Sequence, residues 1–545
     1  MKSNFGMWYD KMNLKDYNDG RQGPLGQEKE GILMKLQPAM MFGEYMVLQR
    51  GEEIPVWGRS AGDDLITVTL GEHRVQTRAE QGTWCVKMPP MEACMETELT
   101  IISEKTGDCV CICHVAIGEV WLAGGQSNME FLMKYDEEAE KMLSAPPDPY
   151  LRYFRYPCAN YTGCLEQHAY PDDGFWRRWE DPSDRSFFSA PAAYMGKKLR
   201  ETLGVPVGFI GCCWGGTPAA AWTAVEDMEA VPELKTILEQ QEKIDQKTDY
   251  CSYLKARDAY SPELPPVEQE RADLFMMGVP IEEIMKKLPP MPVPRGYGPF
   301  LEGPFSCVRS GGLYESIMQK VAPYGIRGAV WYQGEDDDFR GRQSFYDKSM
   351  ITLIKSWRKL WGKEFPFLQV ELAPFEGAGI TGAKAYALMR HKQRDAAAAL
   401  KDVHDVCIMD AGHRTNIHVR KKRPVGERLA LLARKYVYGE ASLAADSPEF
   451  LSAERDGEHV IVRFANAGDG LVLMRDPQDV LQAVVDGKTV IPKARAQGEF
   501  LFLDSPEFAP AQEIRLSYME QNYCEAAIFR SCGLPVFSFE AEVKL

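Results

Sequence analysis

The chain has 545 residues, enough for about three domains at the usual roughly 100–200 residues each. With 45% hydrophobic and 26% charged residues it is neither a disordered nor a fibrous sequence. Its charge of 63 − 79 = −16 excludes general binding to a phosphate backbone. No apolar run reaches the roughly 20 residues that cross a bilayer. The polar stretch Met1 to Glu30 lacks the apolar centre of a signal peptide, so the expected location is cytoplasmic.

Residues 1–35 read as an N-terminal extension. From 36 to 117, short apolar or alternating runs (Val47-Leu48, Ile54–Trp57, Leu65–Leu70, Trp84–Met88, Leu99–Ile102) are separated by glycines and by Pro89-Pro90. That punctuation predicts a β-sandwich, whose Trp57 and Trp84 are expected to fill its core. The alternating Cys109, Cys111 and Cys113 lie on one face of a strand, which favours strand packing over a metal site.

At Gly118 the pattern changes. Ile117–Ala123, Val205–Ile210, Ile326–Tyr332, Phe367–Leu372 and Val403–Met409 suit strands buried on both faces. Between them, 187–203, 346–361, 385–400 and 425–436 carry helical periodicity, with Gly204 and Gly362 as C-terminal stops. Alternation of this kind predicts an α/β domain with a mainly parallel sheet over 118–446. Residues 225–305 fit neither pattern. Three charged helical pieces and a proline-rich exit read there as an insertion, a lid or a substrate wall. From 447 to 545 the strand pattern returns with Asp-Gly turns at 456, 469 and 486, predicting a second β-module.

The strongest local signal is Gly118-Glu-Val-Trp-Leu-Ala-Gly-Gly-Gln-Ser127-Asn-Met129. A serine between a buried strand and a helix sits where N–H groups favour negative charge, which suits a nucleophile and equally suits a helix cap. A serine nucleophile needs a base. Of eight histidines, His413 and His418 follow the run 403–409, on the side of the sheet where open α/β folds place their sites. His391 is expected to face solvent, and His404 to lie in a loop.

Four ordered segments carry a likeness: Gly125-Gln-Ser-Asn-Met129, Trp214-Gly-Gly-Thr217, Trp331-Tyr-Gln-Gly-Glu335 and Asn416-Ile-His418. They resemble the blocks of SGNH-type esterases of the sialate O-acetylesterase and carbohydrate acetylesterase variety. Met46–Arg50, Ile54–Gly58, Gly204–Gly208, Tyr324–Gly328 and the closing Gly533-Leu-Pro535 extend the likeness over about 36–224 and 306–540. It implies an SGNH-hydrolase, flavodoxin-like three-layer domain flanked by β-sandwich modules. It also implies a serine esterase removing O-acetyl groups from carbohydrates, nominally sialic acid, through an acetyl-serine.

In that reading Ser127 is the nucleophile and His418 the base, with the Ser127, Gly215 or Gly216 N–H and the Gln333 amide as oxyanion-hole donors. Gln333 reads equally as a buried amide organising a strand end, and Glu335 equally as a hydrogen-bond acceptor behind the site. Many relatives have aspartate where this chain has Asn416, so the orienting group is open between a Ser127–His418 dyad and an acid such as Asp410 or Asp337. Asp338, in the run Asp336-Asp337-Asp338, reads as a solvated loop residue. No metal or cofactor is required. The partner is an acetylated sugar or oligosaccharide, with neither nucleic acid nor membrane. Two other readings stand beside this one: an acetylesterase of imported xylan or mannan fragments, and a carbohydrate-binding protein whose site has decayed.

Overall fold

The computed structural model describes residues 35–159, 173–249, 251–252, 255, 266–289, 302–304, 306–377 and 379–544. The expected N-terminal extension, apart from residue 35, and the proline-rich exit of the insertion lie outside them. Six parallel strands form the centre: β1 (Cys109–Gly125), β2 (Asp148–Arg155), β3 (Val207–Cys213), β4 (Gly328–Tyr332), β5 (Phe367–Val370) and β6 (Val403–Val406). Their order is β2-β3-β1-β4-β5-β6, and Trp176–Trp179 adds an antiparallel edge beyond β2. Strand order reverses around β1, so β3 lies on one side of it and β4 on the other. In open α/β sheets a crevice forms outside the strand ends at such a point.

Both faces of this sheet are buried, and the period-two alternation shows it. Val120 and Leu122 of β1 join one core with Ala329 and Trp331, whereas Trp121 and Ala123 join the other with Val330 and Tyr332. Helices α1 (Ala190–Leu203) and α4 (Arg423–Tyr436) cover the second core. Helices α2 (Tyr346–Trp361) and α3 (Ala385–Ala398) cover the first. The termini follow from the sequence. Ser189 accepts from the Ala192 N–H at 3.3 Å to start α1. Gly204 and Gly362, at φ +67° and +62°, end α1 and α2 in the left-handed conformation that glycine adopts without a Cβ penalty.

The N-terminal strands form two sheets that share one core, Val56, Trp84 and Val86 on one side and Ile66, Val68 and Ile101 on the other. Trp57 sits differently, edge-on to Phe42 and Tyr324, against the α/β domain. The expected boundary at 117/118 falls inside a single strand. β1 pairs antiparallel with Cys94–Ser103 in its first half and parallel with β3 and β4 in its second, so no linker separates the two regions. Cys109 and Cys111 are on this strand but face outward while Ile112 is buried, so the thiols do not pack in the core. The C-terminal residues form separate antiparallel sheets around a core of their own, into which Cys407 and Met409 of the α/β domain insert.

An ion cluster locks the join. Glu119, fully buried on β1, accepts from Arg50 Nε at 2.6 Å and from Arg327 Nε at 2.7 Å. Glu119→Ala leaves two arginines facing each other without their carboxylate. Both arginines keep about a quarter of their side chains exposed, so the expected loss is about 2–3 kcal/mol, below the roughly 3–5 kcal/mol of a fully buried broken pair. A denaturant titration checks it. Unchanged stability contradicts the clamp.

Candidate active site

The ends of β1, β3 and β4 build one edge of the site. Gly125 has φ +134°, and a Cβ there would stand 2.2 Å from the Tyr332 carbonyl oxygen, so only glycine lets β1 turn against β4. The Gln126 N–H then donates to Tyr332 O at 3.1 Å, and Gln126 Oε1 accepts from the Gly334 and Asp336 N–H groups. Ser127 opens a one-turn helix, Ser127–Glu130, and is partly exposed between buried neighbours. Among the described residues its hydroxyl and its backbone N–H have no hydrogen-bond partner, so it does not cap the turn. Gly215 abuts it. A Cβ at 215 would lie 3.1 Å from Ser127 Cβ.

The two glycine candidates differ. The Gly215 N–H donates to Glu130 Oε2 at 2.8 Å, so it does not offer itself to an oxyanion; Glu130 is held in turn by Arg155. The Gly216 N–H is unengaged among the described residues, at a left-handed φ of +69°. Gln333 is engaged as well. Its amide nitrogen donates to Thr217 O at 3.2 Å and to Asp337 Oδ2 at 2.8 Å, and its oxygen accepts from Tyr346 at 2.7 Å. Both N–H bonds are spent, and the group organises the strand end.

The histidine loop follows β6. A hydrogen bond joins it to the Ser127 turn: Asn128 Nδ2, next to Ser127, donates to the carbonyl of Ile417, next to His418, at 3.0 Å. The same amide donates to Glu335 Oε1, and its oxygen accepts from Lys422 Nζ, so Asn128 is fully satisfied. His418 packs edge-on against Phe275 of the insertion, ring centroids 5.4 Å apart. Burial, then the Lys422 charge, lowers its pKa to about 4, so the imidazole is neutral at pH 7.

No proposed orienting group reaches the His418 ring. Its Nδ1 is buried without a partner among the described residues. Asn416 Oδ1 accepts from the His418 backbone N–H at 2.9 Å, a turn contact that shapes the loop. Asp410 is bidentate to Arg428 at 2.6 and 2.8 Å, and burial-opposing hydrogen bonds leave its carboxyl below the usual range. Asp337 accepts from the Ala219 N–H and from Gln333. Glu335 is fully buried with its carboxyl raised by desolvation, one oxygen on Asn128 and the other unpartnered among the described residues.

Asp338 is not a solvated loop residue; it is buried, bonded to Gln343 and Thr381. His391 does not face solvent freely, since Nε2 meets Glu520 at 2.7 Å. His404 lies within β6, stacked on Tyr436. His413 Nδ1 accepts from the Asn416 N–H at 2.9 Å and so ends up as a loop brace. Sequence reasoning missed Asn128 as a bridge, Glu130 on Gly215, and the buried Lys422. The first stood inside the quoted motif, while Lys422 was hidden in the basic run 420–423. Among the described residues no group of three His, Cys, Asp or Glu side chains is placed to hold a metal ion, and no helix is long and apolar enough to cross a membrane.

Comparison with known proteins follows the same lines. Residues 305–435 match the family model of carbohydrate esterases described as sialic acid-specific acetylesterase, a span that holds Glu335, His418 and Lys422 but ends short of Ser127 on the N-terminal side. The sialate O-acetylesterase of Rattus norvegicus is 24% identical over 451 residues, 75% of each chain. That of Homo sapiens is 23% identical over 438 residues, 74% of this chain and 71% of its own. A carbohydrate acetylesterase from Xanthomonas citri superposes with a TM-score of 0.71 at 24% identity, covering 93% of this chain and 99% of that one, which shows a common fold. The class defined by these likenesses is the carboxylic ester hydrolases. Within it, the chain resembles the sialate O-acetylesterases and related carbohydrate acetylesterases over about three quarters of its length.

Proposed function

We propose that this chain is a serine esterase that removes O-acetyl groups from carbohydrates, with Ser127 as nucleophile and His418 as base. The observation that carries the reading is the Asn128–Ile417 hydrogen bond, which brings an unpartnered serine and a neutral, buried imidazole to adjacent segments at the strand ends. Ser127 Oγ attacks the acetyl carbonyl carbon while its proton passes to His418. The oxyanion meets the Ser127 and Gly216 N–H groups. When the intermediate collapses, the bond to the sugar oxygen breaks and that oxygen takes the proton from His418. Water, deprotonated by His418, then attacks the acetyl carbonyl carbon, the bond to Ser127 Oγ breaks, acetate leaves, and His418 returns the proton to Ser127 Oγ. With Nδ1 unpartnered among the described residues, the pair works as a dyad, and the flavodoxin-like three-layer frame holds it at the switch point. Retention of both Ser127 and His418 speaks against a decayed, purely binding site.

Sialate is the nominal substrate. A second reading, uncharged acetylated oligosaccharides such as xylan or mannan fragments, is favoured by the arginines. Arg309, Arg340 and Arg414 each face a carboxylate, Glu315, Asp336 and Glu376, and Arg155 near Ser127 faces Glu130 and Asp173. A sugar carboxylate must compete for any of them. The thirteen described cysteines are free thiols, in keeping with the cytoplasmic location proposed here. The test is acetate release from an aryl acetate and from O-acetylated sugars. Release from none of them removes the esterase reading.

A further inference from the structure

Lys422 is completely buried, a rare state for lysine. It stands at the start of α4, four residues after His418, and is fixed at both ends. Its backbone N–H donates to Asp136 Oδ2 at 3.1 Å, and Asp136 also holds Tyr194. Its amino group donates to Asn128 Oδ1 and lies 4.7 Å from the Phe131 ring centroid and 5.2 Å from that of Tyr332. A hydrocarbon side chain of similar length would fill this space without the cost of desolvating an amine. The amine is therefore kept for what it bonds and for the charge it carries.

We infer that Lys422 is a positioning residue of this esterase site: clamped on Asn128 between two aromatic rings, it fixes the Ser127 turn against the histidine loop and sets the charge that His418 faces. The inference rests on the proposed roles of Ser127 and His418. Asn128 has one oxygen and two N–H bonds. Lys422 takes the oxygen, which orients the two N–H bonds toward Glu335 and Ile417. Without the lysine the amide oxygen is left buried without a donor, which loosens the amide and the bond it makes from the turn to the loop at Ile417. Among the described residues, the charges that act on Lys422 are Glu335 from the segment after β4 and Asp136 from the segment after the Ser127 turn, and the charge that acts on His418 is Lys422 itself. Burial lowers the lysine to about pH 7, so it is charged in the acid range where His418 takes up its proton, and there it opposes that uptake.

Two variants separate bonding from charge. Lys422→Met removes both; Lys422→Gln keeps a donor for Asn128 and removes the charge. With an aryl acetate as probe, Lys422→Met is expected to lower kcat by about 10- to 100-fold with KM within about twofold. Lys422→Gln is expected to recover most of kcat, while in both variants the acid limb of the pH profile moves to higher pH. His418 titration, followed by NMR of histidine-labelled protein, needs no turnover and is expected to move the same way in Lys422→Gln. A folded Lys422→Met with unchanged kcat, or a His418 titration that does not move in Lys422→Gln, overturns the inference. A wild-type protein that releases no acetate overturns the esterase reading instead, and the His418 titration still decides the lysine. If Lys422→Met does not fold, the Lys422→Gln profile alone carries the decision.

Discussion

Ser127→Ala is expected to lower acetate release by about 10⁴-fold or more while leaving the fold intact. The serine makes no side-chain hydrogen bond among the described residues and is partly exposed, so alanine removes no structural contact. Circular dichroism and thermal unfolding should match the parent. A residual rate above that in water is expected, because the Ser127 and Gly216 N–H groups remain in place as hydrogen-bond donors. Activity within tenfold of the parent would mean that another group attacks. A collapse of stability would mean that Ser127 is structural after all.

His418→Ala should match that loss, and Ser127→Ala/His418→Ala should be little worse than either, since a nucleophile and its base fail as a unit. The pH profile gives a second reading of the same residue. The base must be neutral to accept the serine proton. Burial and Lys422 place its pKa at about 4, so kcat/KM should hold as pH falls through the ordinary imidazole range and decline only near pH 4. A profile that halves near the unperturbed value of about 6.5 contradicts the buried, uncompensated imidazole. The stability sign runs with it. Between about 6.5 and 4 the unfolded chain binds a proton on this histidine that the folded chain refuses, so stability declines as pH falls through that window. Lys422 acts the same way at higher pH, between its ordinary value of about 10.5 and about 7.

Periodicity located most of the frame. The span 346–361 ended at Gly362 as expected, because a stripe of Leu353, Ile354 and Trp357 and a left-handed stop are both local signals. The strands Asp148–Arg155 and Trp176–Trp179 escaped, since Arg152 and Arg177 interrupt their apolar runs and are satisfied only in the fold; Arg152, for instance, donates to the carbonyls of Met46 and His114. The strand that crosses the expected boundary at 117/118 was not legible for a related reason. A composition shift does not reveal that one strand serves two sheets.

At the site, motif order singled out the segments that carry Ser127, Gly216 and His418, whereas which N–H groups are free depended on contacts already made in the fold. Glu130 occupies Gly215, and Thr217 and Asp337 occupy Gln333; neither contact has a signature in sequence spacing. Asn416 takes an aspartate's place in the motif but hydrogen-bonds a backbone, and among the described residues Nδ1 of the His418 ring has no partner.

The central claim is that Ser127 hydrolyses acetyl esters of sugars. The most direct measurement is mass-spectrometric deacetylation of a panel holding O-acetyl sialic acid and acetylated xylo- and manno-oligosaccharides, run side by side with Ser127→Ala. Loss of acetyl groups is expected from at least one sugar with the parent, and about 10⁴-fold slower with the variant. Sugars left fully acetylated by the parent, or deacetylated equally by Ser127→Ala, would contradict the claim.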